Sequence, residues 1–107
     1  MIVDVRTYRV KPGKMPHELD LYAKRGLAPQ IRHLGLPLAY LYGESGDINA
    51  IVHLWVFEDA ADRARKRRAM MSDPEWQTYL KLADEAGFLA DQNNSLMVPA
   101  AFAPIKR

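Results

Sequence analysis

Leu36-Pro37-Leu38-Ala39-Tyr40-Leu41-Tyr42-Gly43-Glu44-Ser45-Gly46-Asp47-Ile48-Asn49-Ala50-Ile51-Val52-His53-Leu54-Trp55-Val56-Phe57 is the stretch that decides the fold. Leu36 to Tyr42 and Asn49 to Phe57 are rich in the branched and aromatic residues that suit a pleated strand. Gly43 to Asp47 between them has turn chemistry, so the stretch predicts a hairpin. Working outward, residues 2–10 alternate as a strand and residues 94–99 form a last one. Lys11-Pro12-Gly13-Lys14 is a turn, and Pro16 opens a helix carrying Leu19, Tyr22, Ala23 and Leu27 at helical spacing. Gly26 and Pro29 predict its end near Gly26, with a short helical turn through Ile31 to Leu34. Asp59 is an N-cap for a helix through Met71, with Asp62 in its first turn. Asp73-Pro74 restarts the helix with Trp76, Leu80 and Ala83 on one face, and Gly87 stops it.

The order is β-α-β-β-α-β over a single domain, residues 1–107, without linker, repeat or low-complexity segment. This is the α+β ferredoxin-like plan: a four-stranded antiparallel sheet with two helices on one face. The chain is 49% hydrophobic and 26% charged, which excludes disordered and collagen-like classes. A formal charge of +2 is too small to argue for nucleic acid. No cysteine is present, so disulfides, thiolate catalysis, zinc knuckles and iron–sulfur clusters fall away. Met1-Ile2-Val3-Asp4-Val5-Arg6 has no apolar run for a secretory signal, and no stretch suits a membrane span. The expectation is a cytoplasmic protein without cofactor, metal, nucleic-acid or membrane partner.

Strand side chains alternate, so parity separates the two faces of the sheet. Ala50, Val52, Leu54 and Val56 suit a core under helices. The opposite face collects Arg6, Tyr8, Tyr40, Tyr42, His53, Trp55 and Phe57. A solvated face carries Lys, Glu, Ser and Thr instead, so this face is expected to meet a partner or a ligand. Two such sheets face to face bury the rings around a lumen, which is a dimeric α+β barrel. His53, Tyr8 and Arg6 are the catalytic candidates, because an imidazole beside a phenol and a guanidinium suits proton transfer. Arg63 and Arg67, at i,i+4, suit a carboxylate or phosphate at the barrel mouth. A metal site is not expected, since His33 and His53 show no ligand spacing.

Arg6-Thr7-Tyr8 with Lys11-Pro12-Gly13, then Arg32-His33-Leu34-Gly35, Asn49 with Val52-His53-Leu54-Trp55, Asp73-Pro74-Glu75-Trp76 and Leu96-Met97-Val98-Pro99 together resemble the NIPSNAP family. The resemblance runs over nearly the whole chain. It implies a dimeric α+β barrel akin to the antibiotic-biosynthesis monooxygenase and EthD-like groups. It also marks Arg6, Tyr8, His33, Asn49, His53, Trp55, Arg63, Arg67 and Trp76 as the characteristic positions. Animal members are linked to mitochondria and vesicle transport, whereas this chain reads as one domain without a leader, so those roles are not carried over. Tyr40, Tyr42, Trp55, His33, Asn49, Arg63 and Arg67 are therefore the ligand-binding candidates. Two functions stay open. One is a homodimer that binds a small apolar or aromatic molecule and acts as a cofactor-independent oxygenase or isomerase. The other is a non-catalytic interaction module whose aromatic face is used up in dimerisation.

Overall fold

A computed structural model describes residues 1–107. The strands are β1 Ile2–Val10, β2 Ala39–Tyr42, β3 Ala50–Phe57 and β4 Leu89–Met97. They form one antiparallel sheet in the order β2-β3-β1-β4, the ferredoxin-like arrangement expected from the sequence. The register of the central pair runs from Ile2 opposite Phe57 to Arg9 opposite Ala50, and an irregularity falls between Arg9 and Val10 on the β4 side. Strand β2 starts at Ala39 rather than Leu36, because Pro37 has no N–H to give a ladder. β4 begins earlier than the apolar run near 94–99 suggests. Its polar Asp91 to Ser95 pairs with β1 as an exposed edge, where apolar alternation is not required.

Helix α1 Met15–Leu21 does not end near Gly26; a π-helical turn, Tyr22–Gly26, carries it directly into α2 Leu27–Leu34. The Leu27 N–H donates to Tyr22 O, five residues back. Glu18, Tyr22, Gly26, Gln30 and Leu34 are all buried. Four-residue steps drift about 40° each around a regular α-helix of 3.6 residues per turn. The wider π turn takes up that drift and keeps the stripe facing the sheet. Gly26 sits where a Cβ would lie 2.9 Å from Tyr22 Cδ1 and 3.1 Å from Tyr79 Cδ1. We expect Gly26→Ala to cost about 1–2 kcal/mol net, overpacking exceeding the gain in helix propensity. Urea unfolding measures this, and an unchanged midpoint would show that the rings yield freely.

Helix α3 spans Ala60–Met71 and α4 spans Pro74–Ala86. Their caps follow the sequence: Asp62 N–H donates to Asp59 Oδ1 at 2.8 Å, Glu75 N–H donates to Asp73 Oδ1 at 2.9 Å, and Gly87 closes α4 with φ 65°. The Asp62 Oδ2 in turn accepts from the N–H of Glu58, the residue before the cap, at 3.0 Å, which fixes the entry of the chain into α3.

The face assignment is the principal correction. Ile51, His53, Trp55 and Phe57 are buried beneath the helices, together with Tyr22, Leu34, Met70, Trp76 and Tyr79. Val52, Leu54 and Val56 lie on the other face, only half-buried. The alternation itself is as expected, but the aromatic face is the core and the aliphatic face is open. Both faces of β3 are apolar, so parity separates them without saying which meets the helices. The large rings take the helix side because they bury the most area and bridge the sheet–helix gap. After β4 the chain crosses back toward β2, where the Arg107 guanidinium donates to Leu36 O at 2.6 Å.

Candidate functional site

A stack of four rings crosses the middle of the sandwich. Tyr22 lies over Tyr40, with centroids 4.9 Å apart, and Tyr40 lies over His53 at 4.6 Å. Tyr8 of β1 flanks His53 at 4.9 Å. Beside the stack is a cavity of about 100 Å³. Tyr8, Tyr40, Ile51 and His53 line it from the sheet, and Glu18, Tyr22, Gln30, Trp76 and Tyr79 from the helices. Leu80, Ala83, Leu89 and Gln92 are common to this cavity and to a groove of about 360 Å³ at the end of α4. The cavity is partly open toward that groove, and its volume is somewhat below the roughly 150 Å³ of a closed cavity that holds benzene, the size range of a single aromatic ring.

His53 is 4% exposed, and the Trp55 Nε1–H donates to its Nδ1 at 2.6 Å. That bond assigns the remaining ring proton to Nε2. Burial, and then the charge of Arg6, push its pKa down to about 3 against the opposing pull of Asp4. The imidazole is neutral throughout the working range, and its basic nitrogen is already engaged. Burial likewise pushes the Tyr22, Tyr40 and Tyr79 phenols well above their usual range, so they stay protonated. Glu18 is also buried, and burial raises its carboxyl pKa, partly offset by the bond from Tyr79 Oη to Oε1 at 3.1 Å. Glu18 Oε2 and Trp76 Nε1 have no protein partner.

A basic cluster adjoins the Tyr8 side. Asp4 is 1% exposed, and its Oδ2 accepts from Arg6 Nη1 at 3.2 Å and from Arg63 Nε at 3.0 Å. Asn94 Nδ2 donates to the other oxygen at 3.0 Å. Burial alone would raise the Asp4 pKa, but the Asn94 bond and the two arginines outweigh it and hold the carboxyl below its ordinary value. Arg6 also donates through Nε and Nη2 to Tyr8 Oη, at 3.2 and 3.1 Å. Arg67, one turn beyond Arg63, lies half-buried beside these groups.

The structure therefore brings Tyr8, Tyr40 and His53 to one cavity, sets Trp55 behind His53, and gathers Arg6, Arg63 and Arg67 outside its lining, beyond Tyr8. Tyr42 lies 57% exposed outside the cavity. Asn49 belongs to the turn before β3, where its carbonyl accepts from Val10 N–H at 2.9 Å. His33 lies away from the cavity, its Nε2 2.8 Å from Asp73 Oδ2, and with Arg32 it fixes the start of α4. That contact, with the Glu75 backbone bond, holds the Asp73 carboxyl down at about 2. Residue-type reasoning missed Glu18, Gln30, Tyr79 and Asp4. The four-residue stripe from Glu18 to Leu34 is the signal that places the first two, once the π turn is allowed.

A ferredoxin-like sandwich with a ring-lined internal cavity defines a class that includes several groups of small α+β proteins. The NIPSNAP family pattern matches residues 3–104, and the chain belongs to the NIPSNAP family. It is 34% identical over 73 residues, 68% of the chain, to a NipSnap homologue of Dictyostelium discoideum, and 28% identical over 98% of the chain to human NipSnap homologue 3A. The chain spans only 32% and 42% of the length of those two relatives. A solved protein of Agrobacterium tumefaciens superposes with TM-score 0.91 at 37% identity, covering 99% of this chain and all of that one. An uncharacterised NIPSNAP domain protein of Burkholderia xenovorans gives 0.90 at 32%, covering 98% of this chain and 100% of that one. A putative antibiotic biosynthesis monooxygenase of Nitrosomonas europaea shares the fold at TM-score 0.65 and 13% identity, covering 92% and 97%. No helix is long and apolar enough to cross a membrane.

Proposed function

We propose that each protomer binds one small apolar or aromatic molecule in the cavity between sheet and helices, and that two copies pair through the open aliphatic face. The observation that carries the first part is a partly open pocket of about 100 Å³ walled by tyrosine, tryptophan and a neutral histidine. Such lining removes an aromatic ring from water at little electrostatic cost, while a few polar tips fix its orientation. His53 serves this ligand as a neutral Nε2–H donor rather than as a base. The lumen thus lies inside the protomer, not between two sheets as the sequence suggested.

The pairing rests on the other face. Val5, Val52, Leu54 and Val56 are half-buried there, and Leu41 at its edge is 56% exposed. A contiguous aliphatic sheet face without helices calls for a matching surface, and a second copy supplies one.

Trp76 lines the cavity and is one of two tryptophans in the chain, so its fluorescence reports occupancy. Titration with benzyl alcohol is expected to give a saturable change in the wild type. Ala83→Phe fills the space beside Leu80 and is expected to weaken binding at least about tenfold while the protein stays folded. A response that does not saturate, or one that Ala83→Phe leaves unchanged, overturns the ligand reading.

A further inference from the structure

The charges beside Tyr8 do not balance. Three guanidinium groups, Arg6, Arg63 and Arg67, surround a single carboxylate, Asp4. Both Asp4 oxygens are already engaged, by Arg6, Arg63 and Asn94. Arg63 is fully directed at Asp4, through Nε and Nη2 at 3.0 Å each. Arg6 divides its donors between Asp4 and Tyr8. The Arg67 side chain makes no hydrogen bond or ion pair; Arg65 and Lys66 both reach Asp62, and Arg68, likewise without an acid, is exposed to water, whereas Arg67 is half-buried. Two positive charges are left unopposed on partly buried side chains, since the side chains of Arg6 and Arg63 are only 13% and 22% exposed.

An arginine that is half-withdrawn from water and faced by like charges has a reason to bind an anion. Burial, then the charges of Arg6 and Arg63, depress the Arg67 pKa, which is the electrostatic sign of that vacancy. Asp4 is the only carboxylate that opposes them, with the Tyr8 hydroxyl and the Asn94 amide nearby.

The position of the cluster defines the ligand further. Asp4, Arg6 and Tyr8 alternate along one face of β1, and Tyr8 is itself a cavity wall. Residues two apart on a strand are separated by about 7 Å. Arg63 of α3 stands over Asp4, so Arg67, one helical turn or about 5.4 Å further, stands toward Tyr8. A ring in the cavity and an acid at Arg67 thus lie on the two sides of Tyr8, and a short carbon arm is what would join them.

The geometry points to a small aromatic carboxylic acid as the ligand, its ring in the cavity and its carboxylate held by Arg67 and Arg6. This rests on the cavity reading above and adds the anionic group. Arg63 is the positioning residue that keeps Asp4 neutralised. Arg6 both contacts the carboxylate and orients the Tyr8 hydroxyl at the cavity rim.

Calorimetric titration of the full chain at low salt tests the two readings separately, with 3-phenylpropionate, 3-phenylpropan-1-ol, acetate and inorganic phosphate as probes. The acid is expected to bind at least about tenfold tighter than the alcohol, as a charge-assisted contact of this kind supplies. Arg67→Gln is expected to remove that advantage and leave the alcohol unaffected, and its unchanged thermal midpoint confirms that the fold is kept. Arg67→Lys is expected to restore part of it. Equal affinity of acid and alcohol, or an advantage that survives Arg67→Gln, overturns the carboxylate site while the cavity stands. Phosphate binding tighter than 3-phenylpropionate replaces the acid with a ring-independent oxyanion and overturns the proposed class. Binding of acetate or phosphate without either ring compound refutes the cavity and the ring-bearing acid alike, and binding of no probe rejects both readings.

Discussion

Asp4→Ala is expected to lower the stability of the domain by about 3–5 kcal/mol, the cost of leaving buried partners of an ion pair uncompensated. The Asp4 carboxylate is 1% exposed and holds Arg6, Arg63 and Asn94 together across β1, α3 and β4. Removing it sets three guanidinium groups against one another with no anion between them. For a domain of this size the loss corresponds to a fall in Tm of at least about 12 °C. Asp4→Asn keeps the shape and the acceptor oxygen but not the charge, so it should fall between wild type and Asp4→Ala. The pH dependence has a definite sign. The folded pKa of Asp4 lies below its unfolded value, so its contribution is complete above the ordinary carboxylate range and disappears as the pH falls through the lowered value. Wild type and Asp4→Asn should therefore converge in stability in strong acid and separate near neutrality. Denaturant unfolding at a series of pH values measures both, and a constant gap between the two proteins would show that the charge is not the cause.

Leu54→Lys is expected to turn the proposed dimer into a monomer. Leu54 lies at the middle of the open face, opposite Val5 on one side and Ala39 on the other. In a two-fold pairing each lysine is buried beside its own copy, so two unpaired like charges enter an aliphatic surface. A penalty of about 4 kcal/mol weakens association roughly a thousandfold. The fold should persist, because the side chain points away from the helix-covered core. Light scattering after size exclusion gives the mass directly. A monomeric wild type at micromolar concentration, or a Leu54→Lys protein that remains a dimer, rejects this face as the interface.

These two experiments probe opposite sides of one sheet, and the difference between the sides is what the chain's own chemistry leaves open. His53 shows why. Its place on β3, its neighbours Tyr8 and Tyr40 and its alternation with Leu54 and Val52 follow from strand periodicity. Its pKa of about 3, its bond from Trp55 and its seat beneath the stacked Tyr40 and Tyr22 rings depend on which face the helices cover. The same periodicity is compatible with an exposed titrating base or a buried neutral donor. Arg63 and Arg67 behave similarly: their i,i+4 spacing is legible, but their partners, Asp4 for one and none for the other, lie 59 residues away or are missing altogether.

What the residues determine by themselves is local. Strand alternation, the Asp59 and Asp73 caps, the Pro74 start and the left-handed Gly87 stop are all settled within a few residues, because backbone sterics and short hydrogen bonds act over that range. The ferredoxin-like order follows from those elements, since few topologies accommodate it. Only the tertiary structure decides that the rings face the helices, that a π turn aligns Glu18 with Gln30, and that Asp4 gathers arginines from two elements. Both faces of β3 are apolar, so periodicity alone does not choose between them; the choice is made where the large rings fill the gap between sheet and helices.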